Sequence, residues 1–85
     1  MIIGPVPGLL IVAASGSTDP TRASIPFHIA VNGARPAGTE VGIALAGDAT
    51  ELLKPDITAN VIGQGVPPLR DLLDKCIDQN VPVYV

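Results

Sequence analysis

Gly8–Ala14 reads Gly-Leu-Leu-Ile-Val-Ala-Ala, and Ser15-Gly-Ser-Thr-Asp-Pro20 follows it directly. A short, unbroken run of aliphatic residues is typical of a strand buried on both faces. The polar stretch after it offers Thr18 or Asp19 as a helix cap, with Pro20 at the first helical position. The sequence therefore predicts a strand, a tight loop and the start of a helix.

The helix that follows is predicted to run from Pro20 to about Ala34, ending at Asn32-Gly33 or at Gly38. Pro26 removes one hydrogen bond inside it, so we expect a kink there or a helix that starts after Ser24. The inward stripe consists of Ala23, Phe27, Ala30, Val31 and Ala34. The opposite, wetter side is assigned Ser24, His28, Asn32 and Arg35. Between them lies a flank suited to contact with another subunit, Ile25 and Ile29.

The second strand is predicted over Thr39–Ala46, and Gly42 within it indicates close approach by a neighbouring element. Gly47-Asp48 closes this strand. Ala49–Leu53 then forms a short helical turn with Asp48 as its cap. The segment 54–66 is either a short strand or a loop against the core.

A further helix is predicted over Pro68–Gln79, and Val81–Val85 is predicted as the third strand. The apolar stripe of this helix is Leu69, Leu72, Leu73, Cys76 and Ile77. The order β-α-β-(α)-α-β suits right-handed crossovers between parallel strands. We therefore expect a single α/β domain over residues 1–85, with helices on both faces of a parallel sheet. Residues 1–7 are expected to form an irregular leader, and the third strand suggests a longer chain missing its C-terminal part.

Composition narrows the class of protein. The 85 residues are 47% hydrophobic with only one Phe and one Tyr, and a small aliphatic core of this kind favours an oligomer. The net charge is −3 and the five basic residues are scattered, which argues against a nucleic-acid partner. A single cysteine fits a reducing cytoplasm, and no apolar run reaches membrane-spanning length.

Three blocks of sequence together resemble a known family. They are Leu-Leu-Ile-Val-Ala-Ala-Ser-Gly-Ser-Thr-Asp-Pro, then Ala-Leu-Ala-Gly-Asp-Ala, and then Gly-Val-Pro-Pro-Leu-Arg-Asp-Leu-Leu followed by Val-Pro-Val-Tyr-Val. In this order they resemble the DsrE/DsrF-like family, which has the YchN-like fold, over Leu9 to Val85. The resemblance implies a flavodoxin-like three-layer sandwich assembled into homo-oligomers, trimers or hexamers.

The resemblance also implies a role in sulfur relay. In such members of the family a cysteine directly after the third strand carries a persulfide and passes the sulfur to a partner protein. Here that position would lie just beyond Val85, so the acceptor cysteine is expected there and no catalytic residue is assigned. Cys76 does not match it, because it lies on a helix and in a core stripe, and we expect a buried, inert thiol.

The candidate ligand site lies at the carboxyl ends of the strands, where α/β proteins bind ligands. Its residues are Ser15, Gly16, Ser17, Thr18, Asp19, Gly47, Asp48 and Tyr84. The loop 15–19 either faces a ligand, for example an anion on backbone N–H groups, or is a plain turn with a cap. Asp48 is likewise either a site carboxylate or a helix cap, and the cap is the favoured interpretation.

Other motifs point to no known chemistry. His28 has no second His, Cys or carboxylate at metal spacing, so we expect no metal and assign no cofactor. Gly63-Gln64-Gly65 lacks the third glycine of a dinucleotide loop. The alternative to sulfur relay is a non-enzymatic, oligomeric module that binds a small ligand or has a regulatory role, and an enzyme acting on a nucleotide or anion is the weakest hypothesis.

Overall fold

A computed structural model of the chain describes residues 8–85 as a three-stranded parallel sheet with helices. The strands are β1 (Gly8–Ala13), β2 (Glu40–Leu45) and β3 (Val83–Tyr84), and their order in the sheet is β1-β2-β3. This confirms the α/β class and the parallel direction of all three strands. The predicted leader, residues 1–7, lies outside the described residues.

Three α-helices connect these strands, α1 (Pro20–Ile29), α2 (Pro55–Thr58) and α3 (Leu69–Asp78). A π-helical turn at Ala30–Ala34 extends α1, and a 3-10 helix at Gly47–Leu53 precedes α2. The segment 54–66 therefore contains a helical turn and a loop, and it adds no strand to the sheet. Val61 in that loop is buried in the core.

Helix α1 begins at Pro20 and continues through Pro26, so the alternative of a helix that starts only after Ser24 is wrong. Asp19 is its cap, because its Oδ1 accepts a hydrogen bond from the Arg22 backbone N–H at 3.0 Å. Ser24 is fully buried and not on the wet side, since its hydroxyl donates to the Pro20 carbonyl one turn earlier at 2.8 Å. That internal bond satisfies the hydroxyl and lets it enter the core.

The core is a single cluster on one face of the sheet. Register places Ile11, Ile43 and Val83 side by side, and this face belongs to one core cluster with the buried residues of α1 and α3. Two right-handed crossovers that proceed in the same direction across a sheet put both helices on the same side. The predicted stripe of α1 is confirmed, with Ala23, Phe27, Ala30 and Val31 buried and Ala34 partly buried.

The other face of the sheet is exposed among the described residues. It carries Gly8, Leu10, Val12, Glu40, Gly42, Ala44, Pro82 and Tyr84, which we call the open face. Leu10 is 60% exposed, Val12 62% and Tyr84 56%. The expectation that β1 is buried on both faces is therefore not met here. The close approach predicted at Gly42 is confirmed, because a Cβ there would lie 3.3 Å from Cε2 of Tyr84.

Helix α3 has a narrower buried stripe than its sequence predicts. Leu69, Leu72 and Cys76 are buried and Leu73 is partly buried, whereas Ile77 is 75% exposed. The prediction for Ile77 is wrong because α3 meets its neighbours along one line of contact, and position 77 lies beyond the edge of that line.

Replacing Leu72 by alanine should lower the free energy of unfolding by about 2–5 kcal/mol, because the side chain is fully buried and leaves a cavity. The matched control is Ile77→Ala on the same helix, which should change it by less than ~0.5 kcal/mol. Urea unfolding followed by circular dichroism measures both. Equal losses for the two variants would contradict the described packing of α3.

Candidate functional site

The carboxyl ends of β1 and β2 bring two of the predicted segments together. The Ala46 backbone N–H donates to the Ala13 carbonyl at 2.9 Å, which sets the 3-10 helix beside the loop 15–19. Gly16 is buried against this helix, and a Cβ there would lie 2.8 Å from the Asp48 carbonyl oxygen. Ser15–Asp19, Gly47 and Asp48 therefore form one region, which we call the strand-end loop.

Glu51 is the residue of this region that sequence reasoning missed. Its Oε1 accepts two hydrogen bonds from Ser17, one from the backbone N–H at 2.8 Å and one from the hydroxyl at 2.7 Å. The available signal was spacing, because residues three apart lie on the same face of a 3-10 helix and Glu51 follows Asp48 by three. Glu51 thus ties the loop to the next element of the chain.

The hydrogen bond from the Ser17 hydroxyl, followed by that from its backbone N–H, lowers the pKa of Glu51 below its ordinary value. The carboxylate is therefore ionised at neutral pH and already occupies the two donors that converge there. Asp48 lies against Gly16, and the Asp19 backbone N–H donates to the Gly16 carbonyl, so this region holds two more carboxylates. The charges of this region repel an external anion, and the Ser17 donors hold an internal one.

Asp48 is not the cap of the 3-10 helix. Ala46 occupies the cap position, and Asp48 lies in the first turn with its side chain exposed. A carboxylate there still interacts favourably with the positive end of the helix. Asp48 therefore stabilises the start of this helix without the hydrogen bond that a cap would accept.

Tyr84 lies apart from the strand-end loop. It lies on the open face, where it lines a cavity of about 740 Å³ that extends from the amino-terminal ends of β1 and β2 to Ala44. The cavity is lined by Gly8, Leu9, Leu10, Arg35, Glu40, Val41, Gly42, Ala44, Asn80, Pro82 and Tyr84. The structure thus divides the predicted site residues into two groups. Tyr84 lines the apolar cavity, and the others form the strand-end loop.

Polar groups of the cavity come from Arg35, Glu40 and Asn80. The Arg35 side chain is held in place, because its Nε donates to the Gln79 carbonyl at 3.2 Å. Asn80 follows in the left-handed conformation, with φ of 56°, and turns the chain from α3 toward β3. Volumes of this size with an apolar lining and few polar groups are typical of sites that bind small molecules.

Cys76 is buried as expected, with 3% of its surface exposed. Burial raises the pKa of its thiol to about 11, which keeps it protonated at neutral pH. Since the thiolate is the nucleophile, this cysteine is unreactive in the folded chain.

His28 takes part in a polar chain between α1 and α3. Its Nδ1 accepts from the Asn32 side-chain amide at 3.0 Å, and Asn32 Oδ1 accepts from Lys75 Nζ at 2.6 Å. No cluster of three or more potential metal ligands occurs within residues 8–85. The polar chain through Asn32 connects His28 on α1 with Lys75 on α3.

The loop Gly63-Gln64-Gly65 packs on the start of α1. The Gln64 backbone N–H donates to Thr21 Oγ1 at 3.0 Å, and a Cβ on Gly63 would lie 2.7 Å from Cα of Thr21. Gly63 is thus required for close contact between two segments of backbone. This backbone contact explains the glycine at position 63 without a bound nucleotide.

No family model, curated protein or solved structure matches the chain. Among the described residues, no helix has both the length and the apolar composition needed to cross a bilayer. The two regions of the structure that bear on function are the open face with its cavity and the strand-end loop.

Replacing Glu51 by glutamine should make stability less dependent on pH. A lowered pKa means that the ionised carboxylate stabilises the fold above its unfolded pKa, and that this contribution is lost as the pH falls through the folded pKa. The wild type should therefore be the more stable protein at pH 7, and its advantage should disappear in acid below the folded pKa. Urea midpoints measured across this range test the prediction.

Ser17→Ala is the matched variant, because it removes the hydroxyl that donates to Glu51 and leaves the carboxylate in place. In this background the pH-dependent effect of Glu51→Gln should shrink. An undiminished effect would show that the pKa of Glu51 is set by other groups.

Proposed function

We propose that the chain is a self-associating module that binds a small ligand or has a regulatory role, with the α/β core of the DsrE/DsrF-like family. The observation that carries this proposal is the open face, where Leu10, Val12 and Tyr84 are exposed and Leu10 and Tyr84 line an apolar cavity. Parallel sheets are usually covered on both faces, so this face favours a further layer of protein. In the YchN-like sandwich that layer consists of helices.

The expected assembly is a homo-oligomer, a trimer or a hexamer as in the family that the sequence resembles. The cavity supplies the place for a small ligand, since its floor is apolar and Arg35, Glu40 and Asn80 supply polar groups. A reducing compartment such as the cytoplasm belongs to the same proposal, because Cys76 is the single cysteine of the sequence.

Sulfur relay is the second candidate function, favoured by the direction of β3. Tyr84 pairs with Ala44 in parallel register, so the chain leaves the sheet at the same edge as the strand-end loop. An acceptor cysteine directly after Val85 would lie at this edge. Its thiolate would attack the outer sulfur of a donor persulfide, forming a new S–S bond as the donor thiolate leaves.

Persulfide labelling followed by mass spectrometry tests the sulfur-relay candidate. After incubation with a persulfide donor, the folded protein should carry the added sulfur on a cysteine after Val85, because Cys76 is buried and protonated. The control is a variant in which that later cysteine is replaced by serine, which should acquire none. The absence of a cysteine just beyond Val85 in the natural protein would eliminate this mechanism.

Static light scattering tests self-association. The mass of one chain is 8.7 kDa, and we expect a multiple of it at micromolar concentration because the open face leaves apolar surface in water. The mass should fall toward that of one chain on dilution. A single chain at all concentrations would overturn the proposed function.

A further inference from the structure

The polar chain between α1 and α3 fixes the position of a proton on His28. We propose that His28, Asn32 and Lys75 form a pH-sensitive contact between the two helices, which is complete only while the imidazole ring is neutral. This contact lies on the side of the sheet that the helices cover, and it is independent of self-association and of ligand binding.

Lys75 determines which way the side-chain amide of Asn32 points. An ammonium group has three donors and no acceptor, so the Asn32 atom that lies 2.6 Å from Lys75 Nζ must be the carbonyl oxygen, Oδ1. The nitrogen of the same amide, Nδ2, then faces His28 Nδ1 at 3.0 Å. An amide turned the other way would place two donors against each other at Lys75.

The orientation of this amide in turn determines the tautomer of His28. Asn32 Nδ2 is a donor only, so the ring nitrogen opposite it must offer a lone pair. Nδ1 is therefore unprotonated, and the proton of the neutral ring lies on Nε2. The ammonium group of Lys75 on α3 thus fixes a proton on α1 through a single amide.

A second proton on His28 breaks this arrangement. The imidazolium ring is a donor at both nitrogens, so its Nδ1–H would face the donor Nδ2 of Asn32. If the amide turns its oxygen toward the ring, its nitrogen faces Lys75 Nζ instead. Asn32 therefore satisfies the ring and the ammonium group together only when the ring is neutral.

The charged groups on and around α1 offer His28 no competing ion pair. Arg22, the other charged residue of α1, pairs with Asp19, and Arg35 donates to the Gln79 carbonyl. Strand β1, the π-helical turn and the loop 63–65 have no titratable side chain. The charge that reaches His28 from the neighbouring elements therefore comes from α3.

On α3, two carboxylates share the side of the helix on which Lys75 lies. Asp71 comes one turn before Lys75 and Asp78 one turn after it. Over residues 8–85, no carboxylate oxygen lies within 4.0 Å of a ring nitrogen of His28. The direct connection between the ring and a charged group of α3 is therefore the one through Asn32.

NMR spectroscopy of the nitrogen-15-labelled wild-type chain tests the tautomer. The chain has one histidine, so long-range proton–nitrogen spectra show without ambiguity which ring nitrogen carries the proton. At pH 8 we expect the proton on Nε2, with Nδ1 unprotonated. A ring that carries its proton on Nδ1 at this pH would overturn the inference.

Titration of the same sample to pH 5 tests the loss of the contact, because histidine ordinarily changes its charge between pH 5 and 8. The side-chain amide signals of Asn32 should shift with the same midpoint as the ring of His28. Asn60 is the control, since its Nδ2 donates to the Asp56 carbonyl at 2.7 Å, and its amide signals should not follow the ring. Asn32 signals that stay constant while the ring titrates would also reject the contact.

Two variants separate the role of the ring from that of the ammonium group. In His28→Gln a neutral acceptor replaces the ring, so the Asn32 signals should no longer depend on pH over this range. In Lys75→Met the amide is free to turn, so the population of the Nδ1–H tautomer at pH 8 should rise about twofold to tenfold, as the net contribution of one hydrogen bond implies.

The two variants also have outcomes that contradict the inference. Asn32 signals that still titrate in His28→Gln, or a tautomer population that Lys75→Met leaves unchanged, would show that the three side chains do not act together. Both substituted residues are at least partly exposed, and circular dichroism verifies that each variant folds. If either variant is unfolded, the two wild-type measurements decide the question.

Discussion

The position of both crossover helices on one side of the sheet determines most of what this molecule presents to its surroundings. With the strand order β1-β2-β3, each connection must move one strand in the same direction, and right-handed crossovers then stack on one face. The chain concentrates its core there, between the sheet and the pair α1 and α3. The opposite face is left with aliphatic and aromatic residues that a parallel sheet normally buries.

The two ends of the sheet consequently differ in character. At the carboxyl ends of the strands, Glu51 fills the donors of Ser17 and ties two elements together, which gives a polar and acidic edge. Toward the amino ends, the open face is apolar and has a cavity with one residue of each charge at Arg35 and Glu40. Ligand sites of α/β proteins commonly lie at the former edge. Here the cavity of about 740 Å³ lies on the open face.

Local sequence patterns predicted the structure correctly where it depends on the residues of a single helix or strand. The strands β1 and β2 and the buried stripe of α1 follow from composition and spacing, whereas the choice of Asp19 over Thr18 as the cap needed the structure. The burial of Ser24 and the exposure of Ile77 were mispredicted because they depend on residues elsewhere in the chain. Glu51 was missed because it lies on a 3-10 helix, whose period is shorter than that of an α-helix. The residue pattern of a strand does not show which face of the sheet the crossover helices will cover. The exposure of Leu10 and Val12 therefore could not be predicted without the strand order.

The two aromatic residues illustrate how sequence position and topology combine. Phe27 projects from α1 into the one helix-covered face and is completely buried, whereas Tyr84 projects from β3 onto the other face and is 56% exposed. Tyr84 nevertheless has a structural partner, because Gly42 lacks a side chain and the ring packs over it. A glycine in the central strand weakens the sheet unless something covers its backbone, and an aromatic ring on the neighbouring strand does so. The same ring lines the cavity of the open face, so one pairing of residues both covers the glycine backbone and forms part of the cavity wall.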